Sequence, residues 1–170
     1  MSKRRVVITG MGTVNPIANN PDDFFDALVA GRSGIDTLQG WPTENLACTI
    51  AGQVKNLSIG DHLDAKTIRR TARFTQLAII AARQALGQAG LSPQTDGIDL
   101  DRVGVSNGTS LGSFTDMVST ILSGGETHER VSPFFVSRML PNMPGANLAM
   151  EFGFRGHNDT SVTACAASTQ

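Results

Sequence analysis

The sequence contains no tyrosine, and aromatic residues make up only 5% of its 170 positions. A mechanism that uses a tyrosine of this chain as an acid or base is therefore excluded. No apolar run approaches the roughly 20 residues that a membrane-spanning helix needs, and the apolar run at the basic start is too short for a signal peptide. We therefore expect a cytoplasmic protein that does not insert into a membrane.

The net charge is also small, and cysteines are few. The formal net charge is -1, and 17% of the residues are charged, which gives no reason to expect nucleic acid as a partner. The two cysteines are Cys48 and Cys165. Because no secretion signal is visible, we expect them to be free thiols rather than a disulfide.

Strand and helix patterns alternate along the chain, and this predicts an α/β fold with a mostly parallel sheet. Strands are expected at Arg4–Thr9, 102–106 and 161–164, with a short strand within 49–54. Helices are expected from Pro21 (with Asn20 as its cap), over 64–89 as one long helix, and over 114–122 and 142–150. No repeat and no internal domain boundary is visible.

The segment Gly10-Met11-Gly12 follows the first expected strand. A dinucleotide-binding loop would need a third small residue and a helix that starts at once. Asn15 stands at that third position, and the helix starts only near Pro21. The glycines therefore indicate a structural turn rather than a cofactor site.

A basic cluster lies in the long expected helix, at Lys66, Arg69, Arg70 and Arg73. Steps of three and four residues place these side chains on one helix face. Two interpretations stay open: a solvated surface, or a docking patch for a small acidic protein.

Cys165 follows a β-branched run and is flanked by alanines. This pattern fits a nucleophilic thiol on a strand-to-helix turn, where backbone N–H groups are able to hold an oxyanion. The alternative is a buried cysteine that packs as a small apolar residue. His157 is close in sequence, but we expect it in a loop before the last strand rather than beside the thiol.

Several segments together resemble one family. They are Arg5–Gly12, Gly31–Ile35, Ser132–Val136, Gly153–Gly156 and Thr163–Cys165, in that order. This set of segments is similar to the β-ketoacyl-acyl-carrier-protein synthases, and most similar to the type II condensing enzymes of bacterial fatty-acid synthesis. The resemblance covers the entire chain and implies the N-terminal half of a thiolase-like layered fold at residues 1–170, with the C-terminal half absent.

The resemblance implies an acyltransferase. Cys165 matches the nucleophile that takes an acyl group from acyl carrier protein before decarboxylative condensation with malonyl-carrier. Leu111 and Phe135 match residues of the acyl pocket. The carrier would dock on Lys66, Arg69 and Arg70. A homodimer is implied for the complete enzyme, and neither a metal nor a cofactor is.

Two alternatives stay open within this resemblance: a polyketide ketosynthase, and a non-catalytic carrier-binding subunit resembling a chain-length factor. The chain also departs from the family pattern at His157, Asn158 and Ser168, and Ser168 is expected to crowd the turn at the nucleophile. The family's catalytic histidines and lysine come from the second half. We therefore expect this chain to be inactive in condensation by itself.

Overall fold

The computed structural model describes residues 4–127 and 131–169, with only the backbone for 124–127. The helices are α1 Pro21–Val29, α2 Ala65–Arg70, α3 Arg73–Ala89, α4 Phe114–Thr127, α5 Phe135–Met139 and α6 Met143–Phe152. The strands are β1 Ile35–Thr37, β2 Ile50–Gly52, β3 Val105–Thr109 and β4 Asn158–Val162. Short 3₁₀ helices occur at Ile59–Asp61, Leu100–Arg102 and Ala164–Thr169. The chain divides into two compact units, residues 1–58 with 80–90 and residues 59–79 with 91–170.

In the first unit, helix α1 begins where the sequence predicts. The Asn20 side chain accepts a hydrogen bond from the Asp23 N–H at 2.9 Å, and Pro21 occupies the first turn. Strands β1 and β2 pair antiparallel, with Ile35 opposite Gly52. The short strand expected within residues 49–54 is therefore confirmed.

The expected strand Arg4–Thr9 is wrong, because these residues pair with no described strand. A strand needs neighbours for its backbone hydrogen bonds. Here Val6 is 92% exposed and Ile8 84% exposed. The following glycines instead lie against the second half of α3, where a Cβ on Gly10 would be 2.0 Å from the Ala85 carbonyl oxygen. This close approach supports the structural interpretation of the glycines.

The second unit contains the parallel pair β3 and β4. Their register runs from Val105 opposite Asn158 to Thr109 opposite Val162. The α/β class is confirmed, but among the described strands the parallel arrangement is limited to this pair, since β1 and β2 are antiparallel. The segment Ser132–Val136, one of those that carry the family resemblance, leads into α5.

The long helix expected over residues 64–89 is interrupted at Thr71 and Ala72, so that α2 and α3 are separate. Thr71 has an extended backbone, with φ -117° and ψ 148°. The Gln76 side chain donates to the carbonyl oxygens of Ile68 at 3.1 Å and Thr71 at 2.9 Å. A buried amide thus satisfies carbonyl groups that an uninterrupted helix would have used.

Helices of sufficient length and apolarity to cross a membrane are not found among the described residues.

Candidate active site

Cys165 lies where β4 passes into the 3₁₀ helix Ala164–Thr169. Its side chain is a free thiol and is exposed, so the alternative of a buried structural cysteine is wrong. The preceding residue, Ala164, has a φ of +51°, a conformation that is costly for a residue with a Cβ. Strain of this kind concentrates at functional sites, and here it turns the chain sharply just before the thiol.

The thiol opens onto a cavity of about 460 Å³. The lining residues are Gly108, Thr109, Ser110, Ala164, Cys165, Ala167 and Ser168. They come from the end of β3, from the residue that follows it, and from the 3₁₀ helix that follows β4. Because β3 and β4 are parallel, their carboxyl ends meet at one edge, which is where α/β proteins place ligands.

Gly108 allows the end of β3 to approach the 3₁₀ helix closely. A Cβ at this position would be 2.5 Å from the carbonyl oxygen of Ala167, far inside ordinary contact. The β3 backbone and the 3₁₀ helix that carries Cys165 are therefore in direct backbone contact. Ser168, which we expected to crowd the turn, is exposed and contributes to the cavity wall.

The predicted acyl-pocket residues lie on two segments of the second unit. Leu111 is 72% exposed, in the loop between β3 and α4. Phe135 is half-buried and begins α5. Neither is among the described residues that line the cavity at Cys165.

His157 is not a partner of the thiol. It precedes β4, where its carbonyl oxygen accepts from the Val105 N–H at 2.8 Å, whereas Cys165 follows the other end of the strand. Five extended residues separate two points by roughly 16 Å. The neighbouring Asn158 belongs to β4 rather than to a loop, and its side chain donates to the Gly145 carbonyl at 3.1 Å on α6.

The basic cluster is divided between two helices. Lys66, Arg69 and Arg70 are exposed on α2, and Arg73 begins α3, so the prediction of one shared helix face for all four residues is wrong. Within the described part of the chain, none of the three α2 cations forms an ion pair with a carboxylate. The Arg70 guanidinium instead lies 5.4 Å from the centre of the Phe134 ring, a cation–π distance.

Asp64 caps α2. Its carboxylate accepts from the hydroxyl and the N–H of Thr67 and from the N–H of Lys66. The hydrogen bonds from Thr67 lower the pKa of Asp64 below its usual value, because they stabilise the charged form. A charged cap at the N-terminus thus stabilises the helix that presents the cations.

An ion pair that the sequence analysis did not predict joins α4 to α5. Arg138 Nη2 lies 2.5 Å from Asp116 Oδ1, and the Ser113 hydroxyl donates to the other Asp116 oxygen. In the sequence, Asp116 stands in the first turn of an expected helix. Acidic residues are generally favoured there, so this position does not identify Arg138 as the partner.

The residues that the structure describes include no cluster of three or more metal-ligating side chains. The cavity at Cys165 is lined by no histidine, lysine or carboxylate of the described chain. The site therefore offers one thiol, hydroxyl groups and backbone, which suits covalent capture of a carbonyl group.

Comparisons with curated proteins find similar chains over nearly the whole length of this one. The 3-oxoacyl-[acyl-carrier-protein] synthase 2 of Staphylococcus aureus (strain COL) is 39% identical over 169 residues, which is 98% of this chain and 40% of the relative. The Synechocystis protein of the same name is 34% identical, over 99% of this chain and 40% of the relative. This chain thus spans about 40% of the length of the curated relatives that it matches.

Solved structures show the same likeness. A beta-ketoacyl synthase from Burkholderia phymatum superposes with a TM-score of 0.79 at 28% identity, over 99% of this chain and 41% of that one. The ishigamide ketosynthase/chain length factor gives 0.85 at 27% identity, over 98% of this chain and 41% of that one. The expected ketosynthase fold is therefore confirmed. The family model described as the beta-ketoacyl synthase N-terminal domain matches residues 3–170, so this chain belongs to the beta-ketoacyl synthase family.

Proposed function

We propose that this chain supplies the acyl-accepting cysteine of a β-ketoacyl-acyl-carrier-protein synthase. The observation that carries the proposal is the exposed Cys165 thiol, which follows a strained residue and opens onto a cavity of about 460 Å³ between the end of β3 and the 3₁₀ helix after β4. The relatives named 3-oxoacyl-[acyl-carrier-protein] synthase 2 support the same assignment.

The first step is thioester exchange. The Cys165 thiolate attacks the carbonyl carbon of an acyl thioester on acyl carrier protein, and the bond from that carbon to the carrier's sulfur breaks. The carrier leaves as a thiolate and takes up the proton that the Cys165 thiol lost when it formed the thiolate. Small neighbours such as Ala164 and Ala167 leave room for the acyl group, and backbone N–H groups at the turn are suited to the developing oxyanion.

The second step belongs to the complete enzyme. Loss of CO2 from malonyl-carrier leaves a carbanion, which attacks the acyl carbon on Cys165, releases the thiolate and yields 3-oxoacyl-carrier. Stabilising this carbanion needs donors, and the described lining of the cavity holds no histidine or lysine. The 170-residue chain by itself is therefore inactive in condensation, and release of CO2 from malonyl-carrier by this chain alone would overturn that part of the proposal.

Acyl capture is tested in the full-length protein that carries this chain. After incubation with acyl-carrier, intact-mass measurement is expected to show one acyl adduct, which Cys165→Ala abolishes. Cys48→Ala is the matched control, because Cys48 is also an exposed free thiol. If the adduct is absent from the wild-type protein, or persists in Cys165→Ala, the assignment is wrong. Absence would favour a non-catalytic carrier-binding subunit.

The carrier is proposed to dock on Lys66, Arg69 and Arg70. These exposed cations have no carboxylate partner among the described residues, and an acidic surface would pair with them. Reversing Arg69 to glutamate is expected to weaken carrier binding about tenfold at low salt, with a smaller loss at high salt because screening weakens exposed pairs. Arg32→Glu, an exposed cation of the first unit, is the control, and equal loss in both variants would exclude a specific patch.

Two further parts of the proposal concern assembly and pathway. The complete enzyme is proposed to be a cytoplasmic homodimer that requires no cofactor. The proposed pathway is fatty-acid synthesis rather than polyketide synthesis, in line with the resemblance to the type II condensing enzymes of bacterial fatty-acid synthesis. Comparing turnover with saturated acyl-carrier and with β-ketoacyl-carrier primers distinguishes the two pathways.

A further inference from the structure

The loop at residues 110–113 connects the nucleophile's cavity to a second anchoring point. It starts at the end of β3, where Ser110 lines the cavity at Cys165. It ends at Ser113, which is 7% exposed, just before α4. Leu111 lies between these two ends and is 72% exposed, so packing around its own side chain does little to determine the loop's position.

The far end of the loop is fastened to α5. Gly112 has a φ of +66°, and a Cβ there would be 2.5 Å from the Met139 carbonyl oxygen. The same oxygen accepts a hydrogen bond from the Ser113 N–H at 3.3 Å. The loop backbone therefore lies directly against the last residue of α5.

Asp116 joins both sides of this contact. One carboxylate oxygen accepts from the Ser113 hydroxyl, and the other lies 2.5 Å from Arg138 Nη2 on α5. The side chains of Arg138 and Asp116 are only 31% and 23% exposed, so solvent screens this pair less than a surface pair. Hydrogen bonds between charged groups are stronger than neutral ones.

We propose that Asp116 and Arg138 are positioning residues that set the acyl-chain length accepted by Cys165. Together they hold the loop that carries Leu111 against the helix that begins with Phe135, and these are the two segments assigned to the acyl pocket. The inference rests on the proposed function, because it concerns the acyl group that Cys165 receives. Neither residue touches the thiol's cavity, and both act through the loop.

The test uses the full-length protein and measures the rate of adduct formation at Cys165 with a short and a long saturated acyl-carrier. Asp116→Asn and Arg138→Met each remove one charge at nearly constant side-chain size. Each is expected to change the ratio of the two rates about threefold or more, because small displacements near a reacting group alter rates strongly. Arg138→Lys keeps the cation and is expected to restore the ratio in part.

Arg155→Met is the matched control. Arg155 Nε also lies 2.5 Å from an aspartate, Asp101 Oδ1, but this pair is exposed and far from the loop in sequence. The control is expected to keep the wild-type ratio. In the two test variants, hydrogen exchange of the peptide that contains residues 109–114 is expected to accelerate, and in the control it is not.

The outcomes separate the two proposals. If wild-type protein forms no adduct, the proposed function fails and this inference fails with it. If the adduct forms but Asp116→Asn and Arg138→Met keep the wild-type ratio, only the positioning role is overturned. Equal slowing for both chain lengths, without faster exchange in the loop, also overturns it, since that result indicates a general structural defect.

Discussion

Replacing Gly108 by alanine tests how closely β3 must approach the turn that carries Cys165. The added Cβ would be 2.5 Å from the Ala167 carbonyl oxygen and 3.2 Å from the Ala167 Cβ. A carbon-to-oxygen contact needs about 3.3 Å, so the two segments must separate by about 0.8 Å. Because the obstacle is backbone, no side-chain rotation relieves it.

Two effects of different size follow from Gly108→Ala. Overpacking of this kind costs about 1–3 kcal/mol, which at about 2–4 °C per kcal/mol corresponds to a decrease in Tm of about 2–12 °C. The displacement also moves the nucleophile relative to the end of β3, which lines its cavity. A misplacement near 1 Å costs up to about 100-fold in rate, so we expect acyl capture to slow by at least about tenfold.

The assay combines thermal unfolding with the rate of adduct formation measured by intact mass. Gly87→Ala is the matched control, because Gly87 lies within α3 and a Cβ there meets no atom within 4 Å. That change should stabilise the protein by about 0.5–1 kcal/mol, since alanine is the better helix former. Wild-type Tm and adduct rate in Gly108→Ala would refute the argument from close approach.

The remaining predictions concern local backbone and charge. Ala164→Gly should leave Tm unchanged within about 2 °C or raise it. Relief of the strained φ is worth about 1–2 kcal/mol, and this offsets the added chain entropy of glycine, about 0.4–1 kcal/mol. Ala82→Gly in α3 is the control and should lower Tm; equal decreases in Tm for both variants would contradict the proposed backbone strain at Ala164. The lowered pKa of Asp64 means that its stabilisation of α2 is full above the usual carboxyl pKa and is lost as pH falls through the lowered value. Denaturant unfolding of Asp64→Asn and wild type should therefore differ most near neutral pH and converge in acid, and a difference independent of pH would exclude the charged cap.

The sequence correctly predicted structural features that depend on neighbouring residues. Asn20 and Pro21 define the start of α1 because the cap and the first-turn proline act within one helical turn. The glycines at positions 10 and 12 have a structural role, as predicted, but that role is close packing against α3 rather than a turn. The strand expected at Arg4–Thr9 was wrong because β-branched residues favour an extended backbone but do not provide a partner strand.

The interruption at Thr71 was missed for a related reason. Residues 64–89 have good helix propensity throughout, and nothing local forbids one helix. The break depends on Gln76 folding back to the carbonyl groups of Ile68 and Thr71. A specific contact between a side chain and the backbone, such as this one, overrides helix propensity.

The sequence by itself determined the family, because the segments that carry the resemblance depend on residue type and order. Through that resemblance it also supplied the candidate nucleophile and the residues proposed to bind the carrier. The tertiary structure decided that Cys165 is exposed, that His157 lies at the far end of β4, and that Asp116 contacts both Ser113, at the end of the loop carrying Leu111, and Arg138. These facts depend on contacts between residues distant in sequence, such as Gly108 with Ala167. The spacing of residues along the chain does not reveal such contacts, because they form only when strand pairing brings the segments together.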